Sequence, residues 1–247
     1  MKISRVTASI LAVFLFISSL FSCKSYQPAF DVDNFYSDYS QTVEFINSSS
    51  YTILMPKNNE TTDFPETGII FYPGGLVDYR SYFPLFTLCA ERGIVCFIVE
   101  MPFDFAFMDK KIGSKIQKKH PEIKNWYMAG HSLGGAIAAS YISSRTQDYK
   151  GLILLASYST HDISNSNLKV LSIYGSNDGV LDLEHYQENH HNLPPVGNGL
   201  TEIVIDGGNH AQFASYGEQK GDNAAGISAD EQQQKTAQEI ISWIGLK

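Results

Sequence analysis

Three polar residues sit in short glycine-bearing stretches: Ser132 in AGHSLGGA, Asp178 in GSNDGV and His210 in GGNHAQF. A serine hydroxyl is a weak nucleophile until a base takes its proton. Histidine supplies such a base near neutral pH, and a carboxylate fixes its tautomer and stabilises the imidazolium. The order Ser, then acid, then His is one of the orders in which this constellation occurs. The chemistry it suits is acyl transfer through a covalent acyl-serine.

Such chemistry also needs donors for the developing oxyanion. Leu133, directly after the serine, offers one N–H at a predicted helix start. The loop YPGGLVDYRSY offers a second, from Gly75 or Leu76. The competing acid is Asp162, in the loop SYSTHDIS, and Asn-Asp-Gly around Asp178 is also good turn chemistry. His131 adjoins the serine and is expected to pack rather than react. His161 suits either a pocket wall or a surface loop, and Asp206 a structural role.

These residues need elements that bring them together. Short β-rich runs alternate with helical patterns. Thr42 to Ile46 and Tyr51 to Met55 read as a hairpin. Gly68 to Tyr72, Ile94 to Val99, Trp126 to Ala129, Leu152 to Ala156, Val170 to Tyr174 and Glu202 to Ile205 read as further strands. Helices are predicted over Tyr82 to Arg92, Phe107 to His120, Leu133 to Ser144, Leu181 to Asn189 and Asp230 to Ile244. Unbroken apolar strands separated by helices imply an α/β fold, with a mostly parallel eight-stranded sheet covered on both faces. Ser132, Asp178 and His210 each follow a strand, and ligands bind at the carboxyl ends of such strands.

Only Ser157 to Lys169 separates the sixth and seventh strands, too little for an inserted lid. The pocket roof is then expected from Asp78 to Tyr82, Phe103 to Phe107 and Ala211 to Ser228. Phe103, Phe105 and Phe107 are candidates for an apolar wall.

The chain has 247 residues, 43% hydrophobic and 18% charged, with a net charge of -8. That suits one large folded domain. Lys110, Lys111, Lys115, Lys118 and Lys119 read as one solvated helix face, so nucleic acid is not expected as a partner. No metal-ligand spacing or cofactor motif is present. Cys89 and Cys96 are expected as buried free thiols.

The start of the chain is different. Lys2 and Arg5 precede an uncharged apolar or small-residue run from Val6 to Ser22, which reads as an export signal. LFSC follows, ending in Cys23. The stretch resembles the lipobox of bacterial lipoproteins, which implies a lipid on Cys23 and a cell-envelope location. Residues 1 to 22 are thus read as a signal, 23 to 40 as a tether and 41 to 247 as the domain.

YPGGLVD, MPF (Met101 to Phe103), AGHSLGGA, SIYGSNDG and GGNHAQFASYGEQKGDNAAGIS together resemble the α/β-hydrolase superfamily. Within it they are similar to the alpha/beta hydrolase fold-5 family, related to dienelactone hydrolases. The resemblance covers residues 68 to 230 and implies that Ser132, Asp178 and His210 form a catalytic triad. Dienelactone hydrolases use a cysteine nucleophile where this chain has serine, so the resemblance implies a hydrolase without implying that substrate. The expected function is cleavage of short-chain carboxylic esters. An acyltransferase, a peptidase or a non-catalytic binder on the same fold stays open at this level.

Overall fold

The computed structural model describes residues 25–57 and 65–246. Residues 1 to 22 and Cys23 lie outside them.

Eight strands form one sheet in the order β1-β2-β4-β3-β5-β6-β7-β8. They are β1 (Val43–Asn47), β2 (Tyr51–Pro56), β3 (Thr67–Tyr72), β4 (Val95–Val99), β5 (Asn125–His131), β6 (Gly151–Leu155), β7 (Lys169–Gly175) and β8 (Leu200–Ile205). β2 runs antiparallel to β1 and to β4, and every other pairing is parallel. The predicted hairpin and the mostly parallel sheet are both present.

Alternation along the strands explains the layering. Ile69, Phe71, Ile153 and Leu155 join one core with α2 (Phe83–Ala90) and α6 (Ala229–Ile244). Ile70, Tyr72, Leu152 and Leu154 join the other, with α3 (Ile112–Lys119) and α4 (Leu133–Ile142). Both faces are therefore buried, as the unbroken apolar strands require. Cys89 and Cys96 are buried free thiols in the first core, and burial pushes the Cys89 thiol up to about 12.

Two expectations about the elements need correction. The helix predicted from Phe107 begins only at Ile112. The buried Tyr72 hydroxyl donates to the Lys110 carbonyl at 2.7 Å and accepts the Gly113 N–H at 3.3 Å. That hydroxyl takes backbone groups a continuous helix would have paired internally, and Lys110 and Lys111 fall ahead of the helix.

The segment read as a tether is built into the domain from Ser25 onward. Tyr26 N–H donates to the Leu76 carbonyl at 2.8 Å, and Asp78 N–H donates to the Tyr26 carbonyl at 2.9 Å. Ala29 N–H reaches the Ser215 carbonyl at 2.8 Å. Helix α1 (Val32–Tyr39) starts at Asp31, whose carboxylate accepts the Asn34 N–H at 2.9 Å. Its Phe35 and Tyr36 rings pack on Phe45. Tyrosines and phenylalanines at irregular spacing bury area without a periodic signature, so the segment looked unstructured.

Candidate active site

β3 has β4 on one side and β5 on the other, so the chain reverses its direction of travel across the sheet there. Ligand sites in open α/β sheets lie at the carboxyl ends of strands beside such a point. The loop after β3 and the turn after β5 meet there.

Ser132 lies between β5 and α4, at φ 51° and ψ -125°. This backbone state is costly for any residue but glycine. It holds because the surroundings leave no alternative. An added Cβ on Gly134 would fall 2.2 Å from the carbonyl oxygens of Tyr72 and Pro73, and one on Gly130 would fall 2.6 Å from the Gly134 backbone. Ser132 N–H donates to the Leu155 carbonyl at 2.9 Å, and the Ser157 hydroxyl donates to the Ser132 carbonyl at 2.7 Å. Leu133 is the first residue of α4, where N–H groups have no partner inside the helix.

His210 follows β8 and Asp178 follows β7. His210 Nδ1 and Asp178 Oδ2 are 2.9 Å apart, with both side chains almost wholly buried. The second Asp178 oxygen accepts the N–H groups of Val180 and Leu181 at 2.8 and 2.7 Å. An ionised carboxylate accepts only, so Nδ1 is the donor of this pair and Nε2 is the nitrogen left over. That Nε2 is buried and has no hydrogen-bond partner among the described residues.

Ser132 and His210 line one cavity of about 230 Å³ with Leu133, Ala136, Ala156, Tyr158, Val180 and Leu181. The predicted phenylalanine wall is not part of it. Phe103 and Asp104 take left-handed conformations, φ 56° and 57°, and Phe103 is 63% exposed. Phe105 and Phe107 stack on each other at 5.1 Å. The cavity walls come instead from the loops after β6 and β7. Residues 156–168, between those strands, contain no helix or strand, in keeping with the expected lack of a lid.

The two candidates for the second oxyanion donor separate. Leu76 N–H donates to the Asp104 carbonyl at 2.9 Å, so it is withdrawn. The N–H of Gly74, two residues earlier, donates to the Tyr82 hydroxyl at 3.0 Å. No hydrogen bond engages Gly75 N–H among the described residues.

His131 is buried and packs, as expected. The Tyr82 hydroxyl, which accepts from Gly74, also shares a hydrogen bond with His131 Nδ1, 2.8 Å away. Burial holds this imidazole well below the usual histidine range, and neighbouring His210 adds to the effect. Asp162 is exposed and occupied by Ser164, which donates both N–H (2.9 Å) and hydroxyl (2.7 Å). His161 lies on an exposed loop, and Asp206 accepts from the Ser176 hydroxyl at 3.4 Å.

Sequence reasoning missed Asp222. Its Oδ1 accepts the Gly179 N–H at 2.9 Å and its Oδ2 accepts the Ala211 N–H at 2.8 Å. Those residues follow Asp178 and His210. The available signal was a long polar loop in a compact domain, which must satisfy its backbone somewhere.

A model of the alpha/beta hydrolase family matches residues 68–234. The chain belongs to the alpha/beta hydrolase family. Solved structures that match this hydrolase's fold are numerous. A predicted CIB-like hydrolase from Thermoplasma acidophilum superposes with TM-score 0.57 at 14% identity, over 81% of this chain and 98% of that one. Est1E from Butyrivibrio proteoclasticus gives 0.56 at 15%, over 82% and 99%. A monoacylglycerol lipase from Paleococcus ferrophilus gives 0.56 at 13%, over 74% and 95%. At these identities the likeness is one of fold. No curated protein matches the chain in sequence.

Proposed function

We propose that this hydrolase cleaves short-chain carboxylic esters through an acyl-enzyme on Ser132. The observation that carries the reading is His210: its Nδ1 is fixed on Asp178 at 2.9 Å, its Nε2 is buried without a partner among the described residues, and the residue lines the same cavity as Ser132. Nε2 takes the serine proton as Oγ attacks the ester carbonyl carbon. The oxyanion is held by the N–H groups of Leu133 and Gly75. Nε2 then gives the proton to the departing alcohol. Water repeats the sequence on the acyl-serine and releases the acid. Asp178 holds the tautomer and stabilises the imidazolium throughout.

A cavity of about 230 Å³ lies below the range of about 300–1,000 Å³ usual for ligand sites. It accepts an acyl group of roughly two to six carbons, each buried methylene adding about 0.8 kcal/mol. The positively charged start, the apolar run and Cys23 support export with a lipid on Cys23, at the cell envelope.

A fluorophosphonate probe tests the nucleophile. Wild type should take one label and Ser132→Ala none, with unchanged circular dichroism. Labelling that survives Ser132→Ala would move the nucleophile elsewhere. Intact mass of protein from its native host tests the anchor, since a mature chain without lipid mass at Cys23 contradicts it.

A further inference from the structure

The site opens beside an apolar surface that the reaction does not need. Phe103 is 63% exposed, Phe107 and Met108 each 50%, and Leu183 48%. Leu133 and Val180, which line the cavity itself, are 37% and 36% exposed. Contacts bring Leu133, Phe105, Phe107 and Met108 together. An added Cβ on Gly75 would lie 3.0 Å from Leu133 and 3.7 Å from Phe105. Phe105 stacks on Phe107 and accepts the Met108 N–H at 3.0 Å. Two exposed cations, Lys110 and Lys111, follow after Asp109. Side chains that mix apolar bulk with lysine at one edge suit the boundary between headgroups and acyl chains.

The route of the amino-terminal segment says what covers this rim. The Ser25 hydroxyl donates to the Asp104 carboxylate, within the same loop as Phe103 and Phe107. Tyr26 is then locked between Leu76 and Asp78, beside the site. Cys23 precedes Ser25 by only two residues, and two residues of extended chain span roughly 7 Å at most. The uncharged run Val6 to Ser22 ends directly before Cys23. Whether the membrane is met through a lipid on Cys23 or through that apolar run, the chain reaches the bilayer beside the cavity mouth. No helix among the described residues is long and apolar enough to cross a membrane. Net charge of -8 disfavours general adhesion to anionic lipid, which leaves the anchor and the apolar rim to set the orientation.

We propose that this hydrolase docks with its active-site mouth against the lipid surface, with Phe103, Phe107 and Met108 inserted at the headgroup level. The inference rests on Ser132 marking the site and on membrane attachment at the amino terminus. It goes beyond both by assigning the face that meets the bilayer. In this orientation the cavity mouth opens onto the headgroup region, and the opposite end of the sheet faces away.

The test uses the full chain in phosphatidylcholine vesicles with a minor fraction of phosphatidylglycerol. Phe107→Trp places a fluorophore on the rim. Val196→Trp places one at the far end, before β8, where Val196 is 60% exposed. Bromine-carrying phosphatidylcholine quenches only what touches its chains, so the native Trp126 and Trp243, packed within the domain, give the baseline. Phe107→Trp should lose about twofold or more of its added emission in brominated vesicles, the expectation for a side chain at the headgroup–acyl boundary. Val196→Trp should match the baseline. Unquenched Phe107→Trp, quenching of Val196→Trp instead, or a chain that fails to float with vesicles each overturns the proposal. Fluorophosphonate labelling of the same samples reports the catalytic reading separately, so the two failures are distinguishable.

Discussion

Asp222 holds the backbone of Ala211, the residue after His210, through a 2.8 Å hydrogen bond. Its other oxygen holds Gly179, the residue after Asp178, at 2.9 Å. One carboxylate thus ties the loop of Asp178 to the loop of His210. Asp222→Asn keeps the volume but turns one acceptor into a donor aimed at an N–H. Losing a charged hydrogen bond is worth about 1.5–3 kcal/mol. We expect kcat to fall by roughly 10- to 100-fold, with KM nearly unchanged. Steady-state kinetics on a p-nitrophenyl ester measures this. An unaltered kcat would remove Asp222 from any positioning role.

The acid assignment makes a sharper prediction. Asp178 is buried against His210, whereas Asp162 is exposed and bound by Ser164. Asp178→Asn should lower kcat by roughly 10⁴-fold, the scale for losing an orienting carboxylate. Asp162→Asn should leave it unchanged. If the Asp162 variant shows the larger loss, the acid belongs to the loop after β6.

His131 links stability to pH. Burial keeps its imidazole neutral in the folded chain. The unfolded chain protonates it below the ordinary pKa of about 6.5. The unfolded state therefore holds more protons, and the contribution is fully present above that pH and lost as pH falls. The slope is about 1.4 kcal/mol per pH unit for one such group. His131→Asn retains an acceptor for Tyr82 without a titrating ring. Urea midpoints at about pH 7.5 and about pH 5.5 should separate more for wild type than for His131→Asn. Equal separations would show that another group carries the acid sensitivity.

Substrate size follows from the cavity. A p-nitrophenyl ester series from acetate to palmitate should give the highest kcat/KM at short acyl chains, about two to six carbons. Ser132→Ala protein serves as the blank. Preference for palmitate would mean that the cavity opens deeper than its walls at Ala156 and Val180 indicate.

Much of this arrangement was legible beforehand, for physical reasons. All eight strands are short apolar runs between turns, and Ser132, Asp178 and His210 stand one, three and five residues past the ends of β5, β7 and β8. What was not legible depends on contacts between distant residues. The Tyr72 hydroxyl shortens α3, and nothing within residues 107 to 111 announces it. Leu76, Phe103 and Asp104 adopt positive φ without being glycine, so the loops that were expected to roof the cavity turn elsewhere. Asp222 acts through backbone N–H groups, which every sequence has.

Ser132 sits at φ 51° in a region that suits glycine. Such a conformation costs of order 1–3 kcal/mol for a residue with a side chain. Ser132→Gly would therefore lose the hydroxyl and gain stability. The fold by itself favours the mutant, and most changes of that kind are open to drift. A descendant of this chain relieved of its chemistry would be free to settle into glycine there. Serine at position 132 is thus a residue that folding by itself disfavours.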